Sequence, residues 1–228
     1  NWTLGNFTKF FKDTDAINTF ALSLEVAIEN TAICILLGYP AAWILANKKL
    51  NKSAVTIVLF IMPMWINALM RTLATAELFH MLGIQLGKGT LIVGMVYDYL
   101  PFMIYPIYNI LEKMDKSYAE AASDLGASKA KVFTSVTLPL SKPGIISGVT
   151  MVFLPVMSCY VITDAFSGST GFTVIGKLIA WCFLGENGTM TNQHGGAMIS
   201  LIMLVILFVT MWATGGFNSE DTGRGTNI

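Results

Sequence analysis

The chain has 228 residues, of which 54% are hydrophobic and only 12% charged, with a mean hydropathy of +0.62. A soluble domain carries about 25% charged residues, so half that share leaves too little polar surface to solvate a globule of this length, and the composition is that of a membrane protein. Fourteen basic residues balance fourteen acidic ones, which excludes the basic face that a nucleic-acid partner would need for counterion release.

The three cysteines, Cys34, Cys159 and Cys182, are odd in number and far apart. They match neither a disulfide framework nor a zinc site and read as structural. The chain opens at Asn1 without a methionine, and residues 1–18 contain no uninterrupted apolar run of the signal-peptide kind. The expectation is an extracytoplasmic segment of a longer chain. The sequons at Asn1, Asn6 and Asn187 are short chance matches, uninformative if the protein is bacterial.

A bilayer core of about 30 Å takes roughly 20 apolar residues per helix. Five stretches qualify, at 19–45, 53–74, 91–111, 143–163 and 196–214, so the expected fold is an all-α polytopic transmembrane helical bundle. Lys48, Lys49 and Lys52 crowd the first connection, and Lys113, Lys116, Lys129, Lys131 and Lys142 crowd the connection 112–142. By the positive-inside rule both are cytoplasmic. The thinner charge of 1–18, 75–90 and 164–195 puts these outside, with the N-terminal end outside and the C-terminus inside. A start on the outer side without a signal suggests a sixth span upstream of Asn1. Within the outer loop 164–195, the run FTVIGKLIAWCFL at 172–184 is apolar but too short to span, and should lie as an amphipathic or re-entrant helix against the bundle. The tail 214–228 is polar and Gly-rich and reads as a disordered end.

The loop 112–142 has legible local chemistry. Ser117 and Glu120 form an S-x-x-E capping box, Tyr118 to Leu125 can propagate as a short helix, and Gly126 occupies the left-handed position after it. Ser128 can cap a second helix over 129–137, which Pro139 ends, and Pro143 then begins the next span. Two short helices at a sharp turn should therefore project from the cytoplasmic side. Capping signals alone leave open a hairpin that only connects two spans.

Glu120, Ala121 and Ala122, followed by Asp124, Leu125, Gly126 and Ala127, then Phe133, Val136, Leu138-Pro139 and Pro143-Gly144, resemble the EAA loop of the membrane subunits of type I binding-protein-dependent ABC importers. The resemblance implies that the first short helix is a coupling helix docking in a groove of a cytoplasmic ATPase. A narrower likeness covers most of the chain: Leu37-Gly38-Tyr39-Pro40-Ala41, Pro63-Met64-Trp65-Ile66-Asn67, Leu100-Pro101-Phe102-Met103, the run from Leu111 to Lys116, and Phe153-Leu154-Pro155 with Asp164 are similar to the B-type permeases of spermidine/putrescine importers. That implies six spans in the full chain, a location in the bacterial plasma membrane, and four kinds of partner: a second, C-type permease, an ATPase dimer, an extracytoplasmic polyamine-binding protein and membrane lipid. The chain itself has no GxxxxGK[ST] phosphate loop, so ATP and Mg belong to the partner ATPase and no cofactor is expected here.

Ionisable groups within spans cost roughly 2.5–3.5 kcal/mol each at mid-membrane. Glu25 and Glu29 share one face of the first span, Asp98 lies about 10 Å deep in the third, and Asp164 ends the fourth at its outer mouth. Arg71 is the only base within a span. Four acids against one base suit a cation. On the third span Asp98, Phe102, Tyr105 and Asn109 form a helical stripe, Tyr160 and Asp164 stand one turn apart on the fourth, and Trp65 and Asn67 flank Pro63. Carboxylates and ring faces are what a flexible polyammonium chain needs, which makes Trp65, Asn67, Asp98, Tyr105, Tyr160 and Asp164 the candidate pathway residues. The bland alternatives are helix packing for the aromatics, pairing of Glu25 and Glu29 with Arg71 or with the partner subunit, and an interfacial role for Asp164. Pro40, Pro63, Pro101, Pro106 and Pro155 interrupt spans, either as joints or as static bends.

Two rivals from other classes are an intramembrane enzyme and a homomeric channel. The first lacks a clustered nucleophile and base, since the only histidines, His80 and His194, fall in outer loops. The second would show a strongly polar lining helix or a filter-like loop.

Overall fold

The structure, a computed structural model, describes residues 14–47, 55–167, 173–185 and 193–213. Most of the segment 1–18, the lysine-rich connection 48–52 and the tail 214–228 lie outside the described residues. The chain is all-α, with no strand among the described residues. Three helices are long and apolar enough to cross a membrane, at Ala16–Ala46, Lys88–Lys113 and Lys129–Ser158, and a bent pair makes a fourth if its arms are counted together.

Helix α1 (Thr14–Ala46) has 33 residues, about 50 Å at 1.5 Å per residue, and so overreaches the hydrocarbon core. The second expected span, 53–74, is not one helix. It consists of α2 (Val55–Ile61), a 3₁₀ turn over Met62–Trp65, and α3 (Ala68–Met81), and its two arms meet at 92°. Pro63 supplies no N–H to continue α2. Ile66 is extended, with φ −78° and ψ 139°, and the Asn67 side-chain oxygen accepts the Leu69 N–H at 2.9 Å to start a new helix in a new direction. The sequence suggests a kink where the chain makes a corner.

Helix α4 (Lys88–Lys113) absorbs Pro101 and Pro106. Two short elements follow, α5 (Ser117–Asp124) and α6 (Lys129–Val132), then a π-helical turn over Phe133–Thr137 and α7 (Leu138–Ser158). Here the expectation that Pro139 ends a helix is corrected, because the helix is continuous from Lys129 to Ser158. In the π turn the Leu138 N–H bonds to the Phe133 carbonyl, five residues back, and the wider turn gives the Pro139 ring room. The expected span 143–163 is shifted as a result: α7 stops at Ser158, Cys159 is extended, and α8 (Val161–Ser167) runs on separately. The short apolar run that ends at Leu184 forms α9 (Ile175–Leu184), and α10 covers Gln193–Ala213.

Helices α1, α4 and α7 pack against one another to form the core. Met95, Met103 and Ile107 from α4, Val152 and Val156 from α7, and Val26 and Cys34 from α1 are fully buried within it. Close approach replaces a hydrophobic driving force inside a membrane: a Cβ on Gly144 of α7 would stand 2.9 Å from the Pro106 carbonyl oxygen and 3.0 Å from the Ile107 Cα of α4. Phe166 of α8 is buried over Gly94 and meets Phe79 edge-on at 5.9 Å, which fixes α8 to both α3 and α4. The Ser23 hydroxyl of α1 accepts the Ile175 N–H at 2.7 Å and pins the start of α9 against the bundle.

Candidate functional site

The EAA-like loop is built almost entirely from near-neighbour bonds. Its start corrects the expected capping box: Ser117 is already inside α5, and the Asp115 carboxylate accepts the Ser117 N–H at 2.9 Å. That bond holds the Asp115 carboxyl below the ordinary carboxylate range. At the other end Gly126 has φ +82°. Its N–H bonds to the Ser123 carbonyl at 2.9 Å while the Ala127 N–H bonds to the Ala122 carbonyl at 3.1 Å, the paired bonds of a Schellman stop. A Cβ on Gly126 would touch nothing, so the backbone conformation, not space, demands glycine there. Ser128 caps the next turn, its Oγ accepting the Lys131 N–H at 3.3 Å.

Glu120, Ala121, Asp124 and Leu125 are exposed on α5, Leu125 at 89%, while Ala122 and Ala127 are half-buried. Phe133 packs edge-on against Tyr39 at 5.8 Å, and the Tyr39 hydroxyl lies 2.9 Å from Ser141 Oγ. The loop is thereby fastened to α1 and to the start of α7. A cleft of about 480 Å³ separates α5 from the ends of α1 and α4, with Trp43, Leu111, Glu112, Glu120 and Asp124 among its walls.

The pathway candidates fall into two groups. The first gathers at the corner. Arg71 of α3 and Asp98 of α4 form a buried ion pair, 7% and 3% exposed. Arg71 Nε donates to Asp98 Oδ1, Nη2 donates to the Asp98 carbonyl at 3.1 Å, and Nη1 donates to the Pro63 carbonyl at 2.6 Å. The Thr72 hydroxyl donates to Asp98 Oδ2 at 2.9 Å, and the guanidinium lies 5.5 Å from the centroid of the Tyr97 ring. Trp65, 81% exposed, and Asn67 stand on the corner that this cluster anchors. Tyr105 lies two turns farther along α4 and is exposed. The second group lies at α8, which Tyr160 immediately precedes; within it Asp164 meets Lys177 Nζ at 2.8 Å, with that ammonium 5.3 Å from the Trp181 ring centroid.

The pairing of Glu25 and Glu29 with Arg71 is corrected. Both acids bond to Lys88, at 2.7 and 3.2 Å, and Arg71 is taken by Asp98. Sequence reasoning counts Lys88 and Lys177 as loop charges, yet Lys88 pairs with Glu25 and Glu29 of α1 and Lys177 pairs with Asp164 of α8. The one signal in the sequence for the Arg71–Asp98 pair is that Arg71 is the only base within the five expected spans, where an unpaired charge would be costly.

Residues 34–219 match the family described as "binding-protein-dependent transport system inner membrane component". Among curated relatives, the spermidine/putrescine transport system permease protein PotB of Escherichia coli is 33% identical over 225 residues, covering 91% of this chain and 81% of that protein. The protein of the same name from Haemophilus influenzae is 30% identical, covering 91% and 78%. Among solved structures, an inward-facing MetNI methionine ABC transporter chain superposes with a TM-score of 0.67 at 14% identity, over 88% of this chain and 93% of the other. That likeness is one of fold.

Proposed function

The chain belongs to the binding-protein-dependent transport system inner membrane components, and from that premise we propose that it is one permease subunit of an ATP-driven importer of polyamines, spermidine or putrescine. The observation that carries this reading is the 33% identity with a spermidine/putrescine permease along four-fifths of that protein's length. The acids and aromatics of the outer half supply side-chain types suited to a polyammonium chain. The Lys177 ammonium, held between the Asp164 carboxylate and the Trp181 ring, is in the kind of surroundings that a primary amine of such a solute would need.

The work divides among subunits. This chain and a second, C-type permease line the path, an extracytoplasmic binding protein delivers the solute, and a cytoplasmic ATPase dimer binds ATP and Mg and does all the hydrolysis. This subunit performs no chemistry of its own. The segment 117–126, stiff and exposed, is the element the ATPase grips: Glu120 and Asp124 offer charge, Leu125 offers an apolar contact, and Tyr39, Phe133 and Ser141 pass its displacement to α1 and α7. In the bacterial plasma membrane the lysine-rich connections face the cytoplasm, so the C-terminal side is inside and the N-terminal end of this chain outside. Trp65, Asn67, Tyr105, Tyr160 and Asp164 are assigned to the path.

The test is uptake into proteoliposomes holding this subunit with its second permease, ATPase and binding protein. ATP-dependent accumulation of labelled spermidine or putrescine, not competed by methionine, is the expected outcome. Accumulation of methionine or sulfate without any of either polyamine would overturn the solute assignment and leave the importer class standing.

A further inference from the structure

The corner at 62–67 projects from the bundle. Trp65, Ile66 and Asn67 in the turn and Leu69 and Met70 just after it are all exposed, and one side chain bonds the turn to the core. Arg71 reaches back across the break to the Pro63 carbonyl and forward to both the side chain and the main chain of Asp98. Pro63 O is also the acceptor for the Ile66 N–H that closes the 3₁₀ turn, at 3.3 Å. The guanidinium bonds two backbone carbonyls and a carboxylate through three separate nitrogens, a spread that an ammonium, with its three donors on one nitrogen, does not match. A buried base in a membrane helix is expensive unless it is paired, and here the pairing uses both carboxylate oxygens, Oδ1 by Arg71 and Oδ2 by Thr72. A carboxylate so engaged has a donor on each oxygen and, at 3% exposed, little surface open to a passing cation.

We infer that Arg71 and Asp98 are a positioning pair for transport: they set the angle of the broken helix against α4 and so the place of Trp65 on the path, and Asp98 acts through the corner without drawing the solute itself. This departs from the sequence expectation that Asp98 touches the solute. It holds whichever solute the permease carries.

The experiment uses the whole importer, assembled from its subunits in nanodiscs for hydrogen exchange and in proteoliposomes for uptake. Three variants are compared with the parent: Asp98→Asn, Arg71→Lys, and the double change Arg71→Met with Asp98→Asn, which leaves no lone buried charge. Hydrogen exchange at the Ile66 and Arg71 amides needs no solute, so it separates this inference from the polyamine reading. Expected are exchange at least tenfold faster over 62–71 in the double variant with α4 unchanged, and a turnover per assembled complex lowered about tenfold with KM within twofold. The double variant should lose at least as much as Asp98→Asn alone, which keeps the Arg71 bonds to both carbonyls, and Arg71→Lys should retain only part of the turnover. A several-fold rise in KM for Asp98→Asn with parent-like exchange over 62–71 would make Asp98 a solute-binding acid and overturn the inference. Parent-like exchange and turnover in the double variant would overturn it equally. If that variant fails to assemble, Asp98→Asn, which keeps the Arg71 bonds to both carbonyls, decides by the same two readouts.

Discussion

The loop around α5 and the corner around Arg71 are held by opposite means. In the loop, the Asp115 cap spans two residues and the two bonds of the Schellman stop span three and five, and every residue from Asp115 to Leu125 is at least partly exposed. In the corner, the bonds to Asp98 join residues 26 and 27 apart in sequence and are buried. The loop's shape thus belongs to the loop and can be offered to a partner as a stiff unit. The corner's shape belongs to the bundle.

Substitutions can break this contrast, and the largest effect should come from the corner. Arg71→Ala would strand the Asp98 carboxylate in the bundle, and removing one partner of a buried pair costs about 3–5 kcal/mol. Thermal unfolding of the purified complex should show that loss, and the double change Arg71→Met with Asp98→Asn should recover most of it. A parent-like unfolding temperature for Arg71→Ala would mean that the pair is not buried in the assembled protein.

The next effect belongs to the loop. Gly126→Val puts a β-branched side chain at φ +82°, a strain of about 1–2 kcal/mol confined to the stop of α5. Insertion and abundance should be normal, while ATP hydrolysis proceeds without matching uptake. Normal uptake by this variant in membrane vesicles would remove the coupling role from the segment.

The smallest effect sharpens the contrast by pH. Because the folded loop holds the Asp115 carboxyl below its ordinary value, its stabilisation is present at neutral pH, above the unfolded pKa, and is lost as pH falls through the folded pKa. Asp115→Ala should therefore speed proteolytic cutting of the 112–128 loop at pH 7 and make no difference in acid well below the carboxylate range. A gap between the two proteins that persists in acid would show that the carboxylate charge does not hold the cap.

What could be read from sequence follows the same division. Gly126 and Ser128 were legible because a left-handed stop and an N-cap are set by residues a few positions apart. The capping box failed only in detail, since Asp115, two residues before Ser117, competes for the same N–H. The three core helices were legible from apolar length. The corner was not: Pro63 signals a disturbance, but a bend of 92° depends on Asn67 capping a new helix and on Arg71 bridging to Asp98, a partner fixed only once α3 and α4 have packed. The continuity of 129–158 was hidden for a related reason, because a π turn cancels the usual meaning of Pro139. For the path itself, residue type suggested acids and aromatics, whereas the ammonium groups of Lys88 and Lys177 that hold those acids are placed by tertiary packing.

The most direct test of a permease worked by a separate ATPase through 117–126 is photo-crosslinking in the assembled importer, with a photoreactive phenylalanine analogue placed singly at Leu125 or at Trp65, both highly exposed on this chain. The expected result is a covalent product with the ATPase from position 125 and none from position 65. An importer that assembles and transports yet gives no ATPase product from position 125, or gives one from position 65, would contradict this division of the molecule.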